Sequence, residues 1–175
     1  MTLLLPSATP LARRKPLQRS GSSTFYLALI INIHANPLMN FEAVNLKLQV
    51  RPNDLDSLGH VNNATVLEYL EAGRWSWLEH HNLFHGQRII PVVARIEVNY
   101  SHEILPGEVK IITKLKDTEE NYYYQVIFHQ IIEIFKNGTA KVAADALVKV
   151  AFIDSIERSL RTLQDFLNEN KQQDG

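Results

Sequence analysis

From Phe41 the chain reads as a half-buried strand. In "FEAVNLKLQVR" the residues Val44, Leu46, Leu48 and Val50 share one face, and polar residues alternate with them on the other. The period then changes. Over residues 63–81, "NATVLEYLEAGRWSWLEHH", Val66, Leu70, Gly73 and Trp77 gather on one side of a helical wheel, with Glu68, Glu71, Trp75 and Glu79 opposite. This predicts an amphipathic helix of about five turns. Gly73 lies in the apolar stripe, where glycine lowers helix propensity; the expectation is that another backbone comes close there, as when a helix lies tightly on a sheet.

From Ile90 the period is two again: Val92, Ala94, Ile96, Val98 and Tyr100 alternate with Val93, Arg95, Glu97 and Asn99, until "LPG" at 105–107 ends the run. Val109, Ile111, Thr113 and Leu115 form a further strand, alternating with Lys110, Ile112, Lys114 and Lys116. "EENYYYQVIFHQIIEIF" and "AKVAADALVKVAFI" read as two long strands joined at Asn137-Gly138, a strong hairpin signal. The closing "ERSLRTLQDFLNEN" has Leu160, Leu163 and Leu167 at helical spacing. The order is one strand, one long helix, then four antiparallel strands. The economical architecture is an α+β fold of hot-dog type, a curved antiparallel β-sheet wrapped around one long central helix. A single helix covers one face, so such a sheet is expected to leave apolar surface for another protomer, in a homodimer or homotetramer.

Composition narrows the classes. A chain of 175 residues, 45% hydrophobic and 21% charged, has the make-up of one globular domain. No stretch is long and apolar enough for a membrane-spanning helix. The absence of cysteine excludes disulfides, thiolate metal sites and a cysteine nucleophile. Residues 1–38 are rich in Pro and Ser and carry Arg13, Arg14, Lys15 and Arg19 without one acid. We read them as a disordered extension, a targeting peptide or sequence upstream of a start at Met39, and the single domain as 39–175. With those four cations set aside, 14 basic residues face 19 acidic ones. A body of that sign is no nucleic-acid binder.

The chemistry concentrates in residues 51–63, "RPNDLDSLGHVNN". One reading is purely local: Asp54, Asp56 and Gly59 supply turn chemistry, and Asn62 or Asn63 caps the helix. A sharper one notes that a helix start presents unpaired N–H groups and positive dipole charge, a ready oxyanion site, beside a carboxylate that attacks a carbonyl or activates water. Asp54 and Asp56 are two apart, so in extended chain they point to opposite sides and one of them faces a substrate. His60 is read as orienting the turn or making an interface hydrogen bond rather than as the base. Glu71 falls on the polar helix face, and Trp75 beside it is assigned to a protomer contact, an acyl tunnel or partial burial. His81 and His85 have a spacing that could hold a metal on a helix, but without cysteine or an H-E-x-x-H pattern we assign no metal site. N-x-[ST] triplets begin at Asn63, Asn99 and Asn137 and matter only in a secretory protein. Lys110, Lys114 and Lys116 read as a solvated strand face that could meet coenzyme A phosphates or an acidic carrier protein.

Residues 47–79, with D-x-x-G-H-V-N-N opening a helix that carries "YLEAGR", resemble the 4-hydroxybenzoyl-CoA thioesterase-like branch of the hot-dog acyl-CoA thioesterases, nearest its bacterial long-chain enzymes. "ARIEVNYSHEILPGEVKIITKL" and "VAADALVKVAFID" are similar to the same enzymes at corresponding places. The resemblance implies hydrolysis of acyl-CoA to free acid and CoA without metal or organic cofactor. It makes Asp56 the catalytic carboxylate and the Asn63 backbone N–H the group that polarises the thioester carbonyl, with Gly59, His60 and Asn62 around the substrate. Whether Asp56 acts as base or nucleophile stays open, as an ordinary Asp is a weak base at neutral pH. Acyl-ACP is the alternative substrate. A non-catalytic acyl-CoA-binding protein and a hot-dog dehydratase are the other classes. The expected location is the cytoplasm, unless residues 1–38 direct the chain to an organelle.

Overall fold

The computed structural model describes residues 41–83, 88–116, 123–136 and 138–171; the extension 1–38, His85 and Asn137 lie outside them. The described elements follow in the order β1 (Val44–Gln49), a 3-10 turn (Pro52–Asp54), α1 (Asn63–His80), β2 (Ile89–Tyr100), β3 (Glu108–Leu115), β4 (Gln125–Lys136), β5 (Thr139–Asp154), β6 (Leu160–Arg161) and α2 (Leu163–Lys171). Every pairing is antiparallel. The strand order is β1-β3-β4-β5-β2, with β6 pairing β5 beyond the start of β4. The two strands that flank the helix in sequence therefore lie at opposite edges of the sheet. Because β2 pairs with β5 rather than with β3, its last residues return to the level of the helix start.

Helix α1 lies on one face of this sheet, between two apolar clusters. Val66, Tyr69 and Leu70 in its first half pack with Ile111, Ile132 and Ala144. Trp77 and Leu78 in its second half pack with Phe128, Val148, Val150 and residues of α2. A polar layer separates them. Gln130 Nε2 donates to the Leu70 carbonyl (2.8 Å) and to Thr113 Oγ1 (2.9 Å), and its Oε1 accepts from Arg74 Nη1 (2.9 Å). All three side chains are buried, so the hydrogen bonds offset a desolvation that would otherwise be costly. Burial also depresses the Arg74 pKa.

Two sequence expectations change here. The helix does lie tightly on the sheet at Gly73, but side chains close in rather than a second backbone. A Cβ there would sit 2.6 Å from Ile111 Cγ2, 2.8 Å from Thr113 Oγ1 and 3.0 Å from Gln130 Nε2. The terminal helix is also shorter than the leucine spacing implies: Leu160 belongs to β6, opposite Ile153 and half exposed, and α2 begins at Leu163. The reason is a cap. The Asp165 N–H donates to Thr162 Oγ1 (3.0 Å) while the Thr162 N–H donates back to Asp165 Oδ2 (3.0 Å), a reciprocal arrangement that fixes a helix start. Upstream of it, the buried Asp154 carboxylate binds Arg88, Arg161 and the amides of Ile156 and Glu157, which folds the segment back.

Candidate active site

The 3-10 turn after β1 puts Asp54 and Asp56 in different surroundings. Asp54 is buried. It accepts from the Arg51 N–H (2.7 Å), from Arg51 Nη2 (2.8 Å) and from the Tyr69 hydroxyl (2.6 Å) on the helix. The Arg51 side chain foremost, then Tyr69, holds its pKa down to about 2 against the opposing effect of burial. Burial and the adjacent carboxylate push the Tyr69 phenol well up. The Asp54 carbonyl also accepts the Asn62 N–H (2.9 Å), so this brace ties strand, turn and helix start together.

Asp56 opens a tight loop. Its Oδ1 accepts from the backbone N–H of Leu58 (2.8 Å) and of His60 (3.1 Å). Its own N–H donates to the His60 carbonyl and its carbonyl accepts from Gly59, while Leu55 and Val61 bridge across the base. Gly59 has a φ of 79°, a left-handed conformation that glycine adopts without steric cost. The hydrogen bonds from His60 and then Leu58 lower the Asp56 pKa, so the group is an anion throughout the neutral range. Both of these donors bind Oδ1.

Asn62 is the N-cap of α1, its side chain accepting the Ala64 N–H (2.8 Å), and Asn63 is the first helical residue. The Val61 N–H donates to the Ile104 carbonyl (2.8 Å), which joins the loop to the segment after β2. His60 Nε2 lies 3.3 Å from Glu103 Oε2 on that segment. Together these elements enclose a cleft of about 270 Å³ whose walls include Asp56, His60, Asn63, Val66, Tyr100 and His102. A carboxylate and the positive end of a helix thus line one space, an arrangement with the chemistry to act on a carbonyl.

Residues 50–170 match the thioesterase-like superfamily. The chain belongs to that superfamily. This thioesterase is 32% identical over 130 residues to the long-chain acyl-CoA thioesterase FadM of Escherichia coli, across 73% of this chain and 96% of that protein. Among solved structures, the probable thioesterase YbaW from Escherichia coli is similar at a TM-score of 0.57 and 28% identity, covering 74% of this chain and 96% of that one. A 1,4-dihydroxy-2-naphthoyl-CoA thioesterase from Synechocystis shares the fold at a TM-score of 0.59 and 16% identity, covering 77% and 99%. The fold is the α+β hot-dog architecture.

The cleft gathers Asp56, His60 and Asn63; Gly59 and Asn62 shape the loop and cap beside it. Glu71 and Trp75 do not reach it. They lie further along α1, exposed, beside Arg74 and the β2 residues Pro91 and Val93. The His81 ring packs against Phe41 and Trp77 and bonds the Glu42 carbonyl. Among the described residues no three acids or histidines cluster as a metal site would require. Lys110 pairs with Glu133 at 2.7 Å, and Lys114 is exposed. The sequence reading missed Arg51 and Tyr69 as the brace on Asp54, and Tyr100, His102 and Glu103 beside the loop. Tyr69 had a local signal, since it lies one residue before Leu70 on the buried side. Tyr100 at the end of β2 and the two residues on the segment after it had none, because only the β2–β5 pairing brings them here.

Proposed function

We propose that this thioesterase hydrolyses acyl-CoA to a free carboxylic acid and CoA, with Asp56 as the nucleophile and the Asn63 N–H as the oxyanion donor. The observation that carries this reading is an ionised carboxylate on the wall of the cleft onto which the first turn of α1 opens. Two backbone donors help to keep Asp56 charged. Any aspartate is a weak base at neutral pH, which supports attack on the carbonyl ahead of general-base catalysis. Asp56 Oδ2 bonds to the thioester carbon while the carbonyl oxygen, gaining charge, takes a hydrogen bond from Asn63. The C–S bond breaks, CoA leaves as thiolate and is protonated by solvent, and water then hydrolyses the mixed anhydride to acid and a regenerated Asp56. Gly59 and the His60 N–H hold the nucleophile's loop, the His60 ring engages Glu103, and Asn62 fixes the helix start. None of these steps needs a cofactor.

The long-chain acyl-CoA activity in the name of FadM supports CoA as the carrier, ahead of acyl carrier protein. The open edge of β2, where Val92 and Val93 are about 40% exposed, supports pairing with a second copy in a homodimer or homotetramer. No described helix is long and apolar enough to cross a membrane. We place the enzyme in the cytoplasm; a reporter fused behind residues 1–38 tests whether that segment redirects it. The activity is tested by thiol release from short, medium, long-chain and aromatic acyl-CoAs. Turnover with a first-cycle burst of thiol is expected from an acyl-enzyme. A folded protein inert toward every CoA ester would turn the reading toward a binding role or carrier-protein substrates.

A further inference from the structure

A second groove of about 350 Å³ adjoins the cleft and shares His102 and Glu103 with it. Its far wall is the tip of the β4–β5 hairpin. Ile134 pairs with Lys141, and Lys136 with Thr139. Residues opposite each other, or two apart on one strand, project from the same side of a sheet, so Lys136 and Lys141 rise together from the face that carries α1, past its first turn. Both are exposed, and neither has a carboxylate partner among the described residues. The acids in the groove are already engaged: Glu108 pairs with Lys47 at 2.9 Å, and Glu103 faces His60 at 3.3 Å. Leu105, about half exposed, and the neighbouring Pro106 add an apolar wall to the same groove, whereas Phe135, between Ile134 and Lys136, projects from the other side of the sheet. Unpaired cations beside exposed apolar surface, at the lower end of the size range for small-molecule sites, suit a phosphorylated nucleoside.

We propose that this groove holds the nucleotide end of the carrier, the adenosine phosphates of coenzyme A, with Lys136 and Lys141 facing phosphate and Leu105 and Pro106 against the adenosine. This rests on the acyl-CoA reading above and adds to it. The pantetheine arm runs past His102 and Glu103 toward Asp56. Lys110, read from the sequence as part of a solvated strand face that could meet coenzyme A phosphates, is paired with Glu133, so the hairpin pair takes that role here.

The test compares one long-chain acyl group carried on CoA and on pantetheine, which lacks the nucleotide, using the full chain and its Lys136→Ala, Lys141→Ala double variant. Exposed charge pairs are each worth about two- to fivefold in affinity, so KM for acyl-CoA rises about tenfold in the double variant. Its kcat, and KM for the acyl-pantetheine, stay within about twofold of wild type. Unchanged KM for acyl-CoA, or equal shifts for both substrates, overturns the proposal. Wild type that hydrolyses neither thioester defeats the activity reading instead. Calorimetry with adenosine 3′,5′-bisphosphate then decides the groove by itself: binding that weakens in the double variant supports it, and absent or equal binding overturns it.

Discussion

Asp56 combines two tasks in one oxygen: the hydrogen bonds to its Oδ1 close the loop and also hold the carboxylate in its charged form. A group whose pKa is lowered stays ionised as pH falls through the ordinary carboxylate range. On this account, kcat/KM shows no loss from Asp56 protonation between pH 7 and 5, and an acid limb appears only below about pH 4. A limb centred near pH 6 would assign the essential base to another group. Asp54 acts on stability instead. Its pKa is about 2 in the folded chain against an ordinary 3.8, so its contribution is fully present above pH 3.8 and is lost as pH falls toward 2. Thermal melts of Asp54→Asn should therefore converge on wild type as pH is lowered through that window. Tyr69→Phe removes one hydrogen bond to the same carboxylate and should destabilise by about 1–2 kcal/mol in urea denaturation. That the two acids differ was legible from their two-residue separation. What held Asp54 was not, because Tyr69 lies about two helical turns beyond the cap and its hydroxyl leaves no trace in a hydrophobic pattern.

At the scale of elements, periodicity carried far. The alternating runs became β1 to β5, except that β4 starts only at Gln125, after Tyr123 and Tyr124, with residues 119–122 outside the described ones, and the change of period marked α1 to within one residue at its end. Gly73 showed a limit, since a glycine in an apolar stripe signals close approach but not what approaches. Gly73→Ala would gain about 1 kcal/mol of helix propensity. Against that, the new methyl meets Ile111 Cγ2, a buried β-branched side chain on a strand, at a distance no Cβ contact tolerates. Overpacking costs about 1–3 kcal/mol, so the expected outcome is a net loss of stability in denaturant melts. The C-terminal region misled for a different reason: Leu160, Leu163 and Leu167 repeat helically, yet the reciprocal bonds of Thr162 and Asp165 start the helix only after Leu160.

For the whole molecule, the strand order carries the most weight. Placing β2 beside β5 brings Tyr100 and His102 to the helix start and completes a cleft that no single stretch of sequence contains. The same placement leaves β2 as an open edge, with Val93 and nearby Trp75 exposed. Light scattering on the eluting protein should give a dimer or tetramer, and Val93→Lys should shift the population toward monomer. A wild-type monomer at micromolar concentration would contradict that assembly. Hydrolysis by this chain turns most directly on Asp56. Asparagine there keeps an Oδ1 acceptor for both Leu58 and His60, so the loop survives while the nucleophile is lost. Thiol release from a long-chain acyl-CoA should fall by about a thousandfold in Asp56→Asn, with the melting temperature within a few degrees of wild type. A variant that folds and still hydrolyses at the wild-type rate would place the chemistry elsewhere.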